Sequence, residues 1–180
     1  MPSLIEIRLA VFATMSDIAQ RPFGRTALMK LCYFLQALKE VPLGYDFSLY
    51  SYGPFDSQVL SDLHTAETIG VLSTEIEHYP GGYGYLISPA GGARPVKDQA
   101  KNFLTKYSPE IEWTVQTFAH RSASDLELIS TIIFTFQENP RKDDVTLIPL
   151  VRAVKPHFSV SQVENQIRWL RENNLLLQSH

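Results

Sequence analysis

Apolar positions recur at helical spacing at both ends of the chain and give way between them to aromatic and alternating stretches. Leu4, Ile7, Val11, Met15 and Ile18 stand three or four apart. That spacing predicts a helix over 3–20 with one apolar face, stopped by Arg21-Pro22 and Gly24. A second helix follows over about 26–41, burying Leu28, Leu31, Cys32, Leu35 and Leu38 and pointing Lys30 and Lys39 elsewhere. The aromatic run YDFSLYSY (45–52) predicts a short strand or extended segment, with a turn at Gly53-Pro54. Asp56 or Ser57 then caps a helix over about 58–69, and Gly70 takes the left-handed position past its end.

VLSTEIEHY (71–79), PGG and YGYLIS (83–88) form a hairpin pattern, two strand-like runs around a Pro-Gly turn. A helix over about 94–106 comes next. The order helix, helix, Gly-Val-Leu, hairpin, helix is that of a winged helix-turn-helix, with 71–88 as the wing and 58–69 in the recognition position. Further helices are predicted over 109–121, 124–138 and 145–155. The last helix is capped by Ser159 or Ser161 and is followed by a short apolar strand in RWLRENNLLL. The fold class expected is α+β, mostly helical. It comprises a winged-helix-like lobe over 1–107 and a helical lobe over 108–180 with a helix-turn-helix-like end, the two sharing one core.

The 180 residues carry a net charge of −3. Domains built mainly to bind nucleic acid are usually strongly basic, so this balance argues against that class. The predicted recognition helix holds Asp62 and Glu67 and no Lys or Arg, and the wing holds Glu75 and Glu77. No apolar run reaches the roughly 20 residues of a membrane span. The N-terminal stretch lacks the basic start of a signal peptide. The single Cys32 excludes an internal disulfide and fits a reducing, cytoplasmic setting, as a buried small apolar residue. His64, His78, His120, His157 and His180 have no metal-ligand spacing. The expectation is no catalytic residue, no metal and no cofactor.

KLCYFLQ (30–36), PLGYDFSLYSYGPF (42–55), VLSDL (59–63), IGVL (69–72) and KPHFSVSQVENQIRWLRENNLL near the end resemble the small prokaryotic YwgA-like proteins. Those in turn are similar to the Panacea antitoxin domain, with its Lys-Leu-aromatic helix, Tyr-Gly-Pro turn and helix leading to a glycine. The resemblance implies neutralisation of a toxin-like partner by protein contact, without catalysis or cofactor.

Tyr50, Tyr52, Gly53, Pro54 and Phe55, with Gln58 and His64 on the following helix, are the candidate protein-contact residues. The alternative for the aromatics is a bracing role between the first helices and the wing. Of Arg94, Lys97, Lys101 and Lys106, at least the first three are expected on one helical face, and Arg94, Lys97 and Lys101 are the candidate nucleic-acid contacts of the rival reading, a DNA-binding regulator. Arg152, Lys155, Arg168 and Arg171 suggest a second basic patch. A homodimer through terminal helices is compatible with the fold class, although no sustained heptad supports it.

Overall fold

The computed structural model describes residues 1–177. Its elements run α1 (Leu4–Ala19), α2 (Arg25–Lys39), β1 (Ser48–Tyr50), β2 (Gly53–Phe55), α3 (Ser57–Thr68), β3 (Leu72–Tyr79), β4 (Gly82–Pro89), α4 (Arg94–Gln99), α5 (Lys101–Phe118), α6 (Ala123–Glu138), α7 (Asp144–Val154) and α8 (Val160–Glu172). The described residues are about 60% helical and carry two antiparallel two-stranded hairpins, an α+β and mostly helical fold as the patterning predicts. The chain forms two compact units. One comprises Met1–Phe47 and Asp56–Arg121; the other comprises Ser48–Phe55 and the chain from Ser122 onward.

In the first unit, Ser3 and Glu6 close a capping box at the start of α1. Hydrogen bonds from the Ser3 backbone and hydroxyl hold the Glu6 carboxyl below its ordinary range. The helix differs from its expected single apolar face. Leu9, Val11, Phe12 and Met15 are buried on several sides while Leu4 is exposed. The reason is its central position: α1 packs on α3, β4, α4 and α5. On α2, Lys30 is buried rather than turned outward. Phe34 stacks on Phe118 of α5 with ring centroids 4.0 Å apart, joining α2 to α5. Lys39 lies over the Trp113 ring at 3.8 Å, covering the same seam.

Asp56 caps α3 by accepting from the Gln58 N–H. Gly70 has φ +76° past the helix end, where the Val71 N–H returns to the Ala66 carbonyl. β3 and β4 pair from Leu72↔Pro89 to Tyr79↔Gly82. Leu72 and Ile87 anchor the base of this wing in the core. The predicted helix over 94–106 breaks instead at the buried Ala100, and α5 continues through Pro109 to Phe118. Its buried face of Ile111, Thr114, Val115 and Phe118 holds the helix beyond the proline.

In the second unit, Ser122, Asp143 and Ser159 cap α6, α7 and α8 through their side chains. The Asp143 carboxyl is held below its ordinary range by the hydrogen bonds it accepts from Thr146. α6 packs on β2, α7 and α8. Residues 175–177 are irregular where a strand is expected. Leu176 is buried there, and its carbonyl accepts from the Arg171 guanidinium, which takes the place of strand pairing. No described helix is long and apolar enough to cross a membrane.

Candidate protein-contact site

The turn lies two residues earlier than the sequence indicates. Ser51 and Tyr52 form it, and Gly53 and Pro54 belong to β2. The register is Ser48↔Phe55, Leu49↔Pro54 and Tyr50↔Gly53. A two-stranded ribbon leaves each strand an open edge, where a residue lacking an N–H is tolerated, so Pro54 fits. Gly53 has φ +95°. A Cβ at this position would come within 2.9 Å of Ser130 Oγ and 3.2 Å of Thr131 Oγ1, both on α6. Only glycine meets both conditions, the left-handed backbone and the close approach to the helix.

Three pairs of residues make a weak hairpin by themselves. The turn is held by a charge. Lys155 is 4% exposed, and its ammonium donates to the Tyr50 carbonyl at 3.2 Å and to the Ser51 carbonyl. The same ammonium pairs with Glu127 Oε1 of α6 at 3.0 Å. A lysine has three donors, and here all three have acceptors. His157 Nε2 lies 3.5 Å from the same Glu127 oxygen. The ammonium is thus neutralised by a buried carboxylate and fixes two consecutive carbonyls of the turn.

What the clamp presents is aromatic. Tyr50 is 66% exposed and Tyr52 73%, while Gly53 and Pro54 are buried and Phe55 half-buried. The Tyr50 and Phe55 rings lie 5.5 Å apart. Large, stiff aromatic side chains on a fixed backbone lose little freedom when a partner covers them.

Gln58 and His64 belong to the first unit and are exposed on α3. The Gln58 amide donates to Asp62 Oδ1 at 2.8 Å, so it is committed within its own helix. Asp62 itself is 1% exposed, so this carboxylate of the predicted recognition helix does not face outward. It meets Arg8 at 3.5 Å and accepts from the Tyr45 hydroxyl at 2.7 Å. Arg8 also donates to the carbonyls of Leu43 at 2.7 Å and Gly44 at 2.8 Å. Burial pushes the nearby Cys32 thiol and the Tyr45 hydroxyl well above their ordinary ranges, with Asp62 adding to both. This network braces α1, α3 and the segment before β1. The Glu67 carboxylate of α3 is also engaged, accepting from the Thr74 hydroxyl, whereas Glu75 and Glu77 of the wing are exposed.

Several of the candidate basic residues have partners. Arg94 and Lys97 lie on α4 and Lys101 opens α5, with the break at Ala100 between them. Arg94 lies 3.8 Å from Asp98, and Lys97 pairs with Asp17. In the second unit Lys155 is buried in the clamp, and Arg171 pairs with Asp144 at 2.7 Å. Arg152 Nε donates to the Phe158 carbonyl at 3.1 Å. Among the described residues no group of acidic, histidine or cysteine side chains could hold a metal ion.

Sequence reasoning found the aromatic turn and missed its anchor. Glu127 stands between Leu126 and Leu128, where the apolar stripe of the helix begins. A carboxylate flanked by buried leucines on both sides is the signal the sequence offers for a buried cation nearby. Comparison of the chain with protein-family models and with curated proteins finds no match for either.

Proposed function

We propose that this chain is a non-enzymatic protein-interaction module of antitoxin-like or regulatory type, which engages a protein partner through Tyr50 and Tyr52. The observation that carries this reading is the pair of exposed tyrosines on a turn whose carbonyls are fixed by the buried Lys155. Tyrosine is enriched among the residues that dominate protein interfaces, and a pre-ordered turn keeps the entropy loss of binding small. The motif resemblance to the Panacea domain adds a toxin-like protein as the kind of partner.

A photo-crosslinking residue at position 52, compared with one at Tyr79 on the wing, tests it in nuclease-treated host extract. One protein captured from position 52 and lost in Tyr50→Ala/Tyr52→Ala is the expected result. Equal capture from both positions overturns it.

The rival is a DNA-binding regulator. The withdrawal of Asp62 favours it, because the outer face of α3 then offers Ser57, Ser61, His64 and Thr68 without a carboxylate among them. Against it stands the pairing of Arg94 and Lys97 with acidic neighbours. Duplex binding that falls steeply with salt and weakens in Lys97→Glu or Lys101→Glu would establish the rival.

A further inference from the structure

The first unit carries a second feature, independent of the tyrosine turn. A hollow of about 320 Å3 opens where the end of α1 meets the end of β4, lined by Ser16, Asp17, Arg21, Pro22, Ser88 and Pro89 among others. That volume lies at the lower end of the range for small-molecule sites. Ser16 is its most informative member. The residue is only 3% exposed, yet it lines the hollow, and its hydroxyl makes no hydrogen bond to any described residue. Buried hydroxyls normally have a partner, because leaving water without a replacement bond is costly. This one is open only to an occupant of the hollow.

A second observation concerns charge. Asp17 and Arg21 line the same hollow and do not pair with each other. Lys97 takes Oδ2 of Asp17 and leaves Oδ1 open, and Arg21 is exposed without an ion-pair partner among the described residues. The hollow also lies at the C-terminal end of α1, where carbonyls without intrahelical partners carry partial negative charge. A cationic group is therefore favoured beside Asp17. A carboxylate is favoured on the Arg21 guanidinium, whose planar fork matches it. Pro22 and Pro89 add apolar wall that carries no N–H donor.

We propose that this hollow binds a free apolar α-amino acid as its zwitterion. The carboxylate sits on Arg21, the ammonium on Asp17 and the end of α1, and the side chain against Pro22 and Pro89. The Ser16 hydroxyl hydrogen-bonds the polar end of the ligand. The two poles select against simpler ions. Phosphate meets like-charge repulsion from Asp17 and the helix end, and an amine without a carboxylate meets it from Arg21.

The test is an NMR titration of the full chain with four probes: L-valine, N-acetyl-L-valine, which lacks the ammonium, L-valinamide, which lacks the carboxylate, and inorganic phosphate. L-valine is expected to shift the amides of Gln20, Arg21 and Ser88 and to bind about tenfold more tightly than either blocked form. Arg21→Gln is expected to cost about tenfold for L-valine and nothing for L-valinamide. Asp17→Asn is expected to cost L-valine a similar factor and N-acetyl-L-valine nothing. Ser16→Ala is expected to weaken binding without lowering the denaturation midpoint, since the hydroxyl has no partner inside the protein. Tyr50→Ala/Tyr52→Ala is expected to leave binding unchanged, which separates this site from the proposed partner surface. Equal binding of L-valine and its blocked forms, tighter binding of phosphate, or no shift at millimolar L-valine overturns the proposal, as does a Ser16→Ala chain that loses stability and binds as before.

Discussion

Two hairpins expose tyrosines in this chain, and they are held by opposite means. β3–β4 has eight paired residues, with its base in the core and its tip supported by its own ladder. Tyr79 and Tyr83 are a little over half exposed there, and the Tyr79 hydroxyl donates to the Tyr83 carbonyl at 3.1 Å. β1–β2 has three paired residues, too few to hold a turn alone. Its turn is fixed from outside by glycine packing on α6 and by a buried ammonium. A long ladder supplies its own order; a short one takes order from the scaffold, and its exposed side chains inherit that rigidity.

The comparison breaks most visibly at Lys155. Lys155→Met removes the cation and leaves Glu127 buried beside two turn carbonyls, and chemical denaturation should show a loss of about 3–5 kcal/mol. Adding Glu127→Leu should restore much of it, since the pair's desolvation is relieved as well. A neutral Lys155→Met would mean that the turn is not held by charge.

The glycines give the next effect. Gly53 and Gly81 have nearly the same φ, +95° and +94°, but a Cβ at Gly81 meets nothing within 4 Å. Gly81→Ala should therefore show backbone strain alone, about 1 kcal/mol, and Gly53→Ala about 2–3 kcal/mol because the clash with Ser130 and Thr131 adds to it. Equal losses at the two positions would remove the distinction between the hairpins.

Tyr50→Ala/Tyr52→Ala should change stability by less than about 0.5 kcal/mol, as expected for exposed side chains, while abolishing partner capture. A large stability loss would assign the tyrosines a bracing role instead.

The smallest effect lies at the helix caps. Glu6 and Asp143 titrate below the ordinary 4.5 and 3.8 of free carboxyls. A folded value lowered in this way contributes stability above the unfolded value, and the contribution is lost as pH falls through the folded one. An NMR pH titration should find Glu6 more than half ionised at pH 4.5 and Asp143 more than half ionised at pH 3.8.

The local signals were legible in the sequence. Gly70 marks the end of α3, the Pro-Gly run marks the wing turn, and Ser159 or Ser161 marks the start of α8, where Ser159 is the cap, because caps and turns depend on a few adjacent residues. Long-range electrostatics was not. Arg8 and Asp62 are 54 residues apart, and each resembles an ordinary solvated charge on a helix until the fold brings them together. Lys155 gives the same impression, since with Arg152, Arg168 and Arg171 it reads as part of a basic patch. The position of the first turn was misread for a different reason. Gly-Pro is a strong turn signal in general, and here the glycine was required by a helix over seventy residues away in sequence.

The clamp also orders events during synthesis. Ser51 and the lysine that fixes it are 104 residues apart, so at ribosomal speeds the turn emerges roughly 5–20 s before its anchor. Until then the segment 48–55 interrupts the first unit as an untethered loop, and a nascent or truncated chain ending before α7 carries both tyrosines without the ammonium that orders them. Recognition that depends on the ordered turn would thus distinguish finished molecules from incomplete ones.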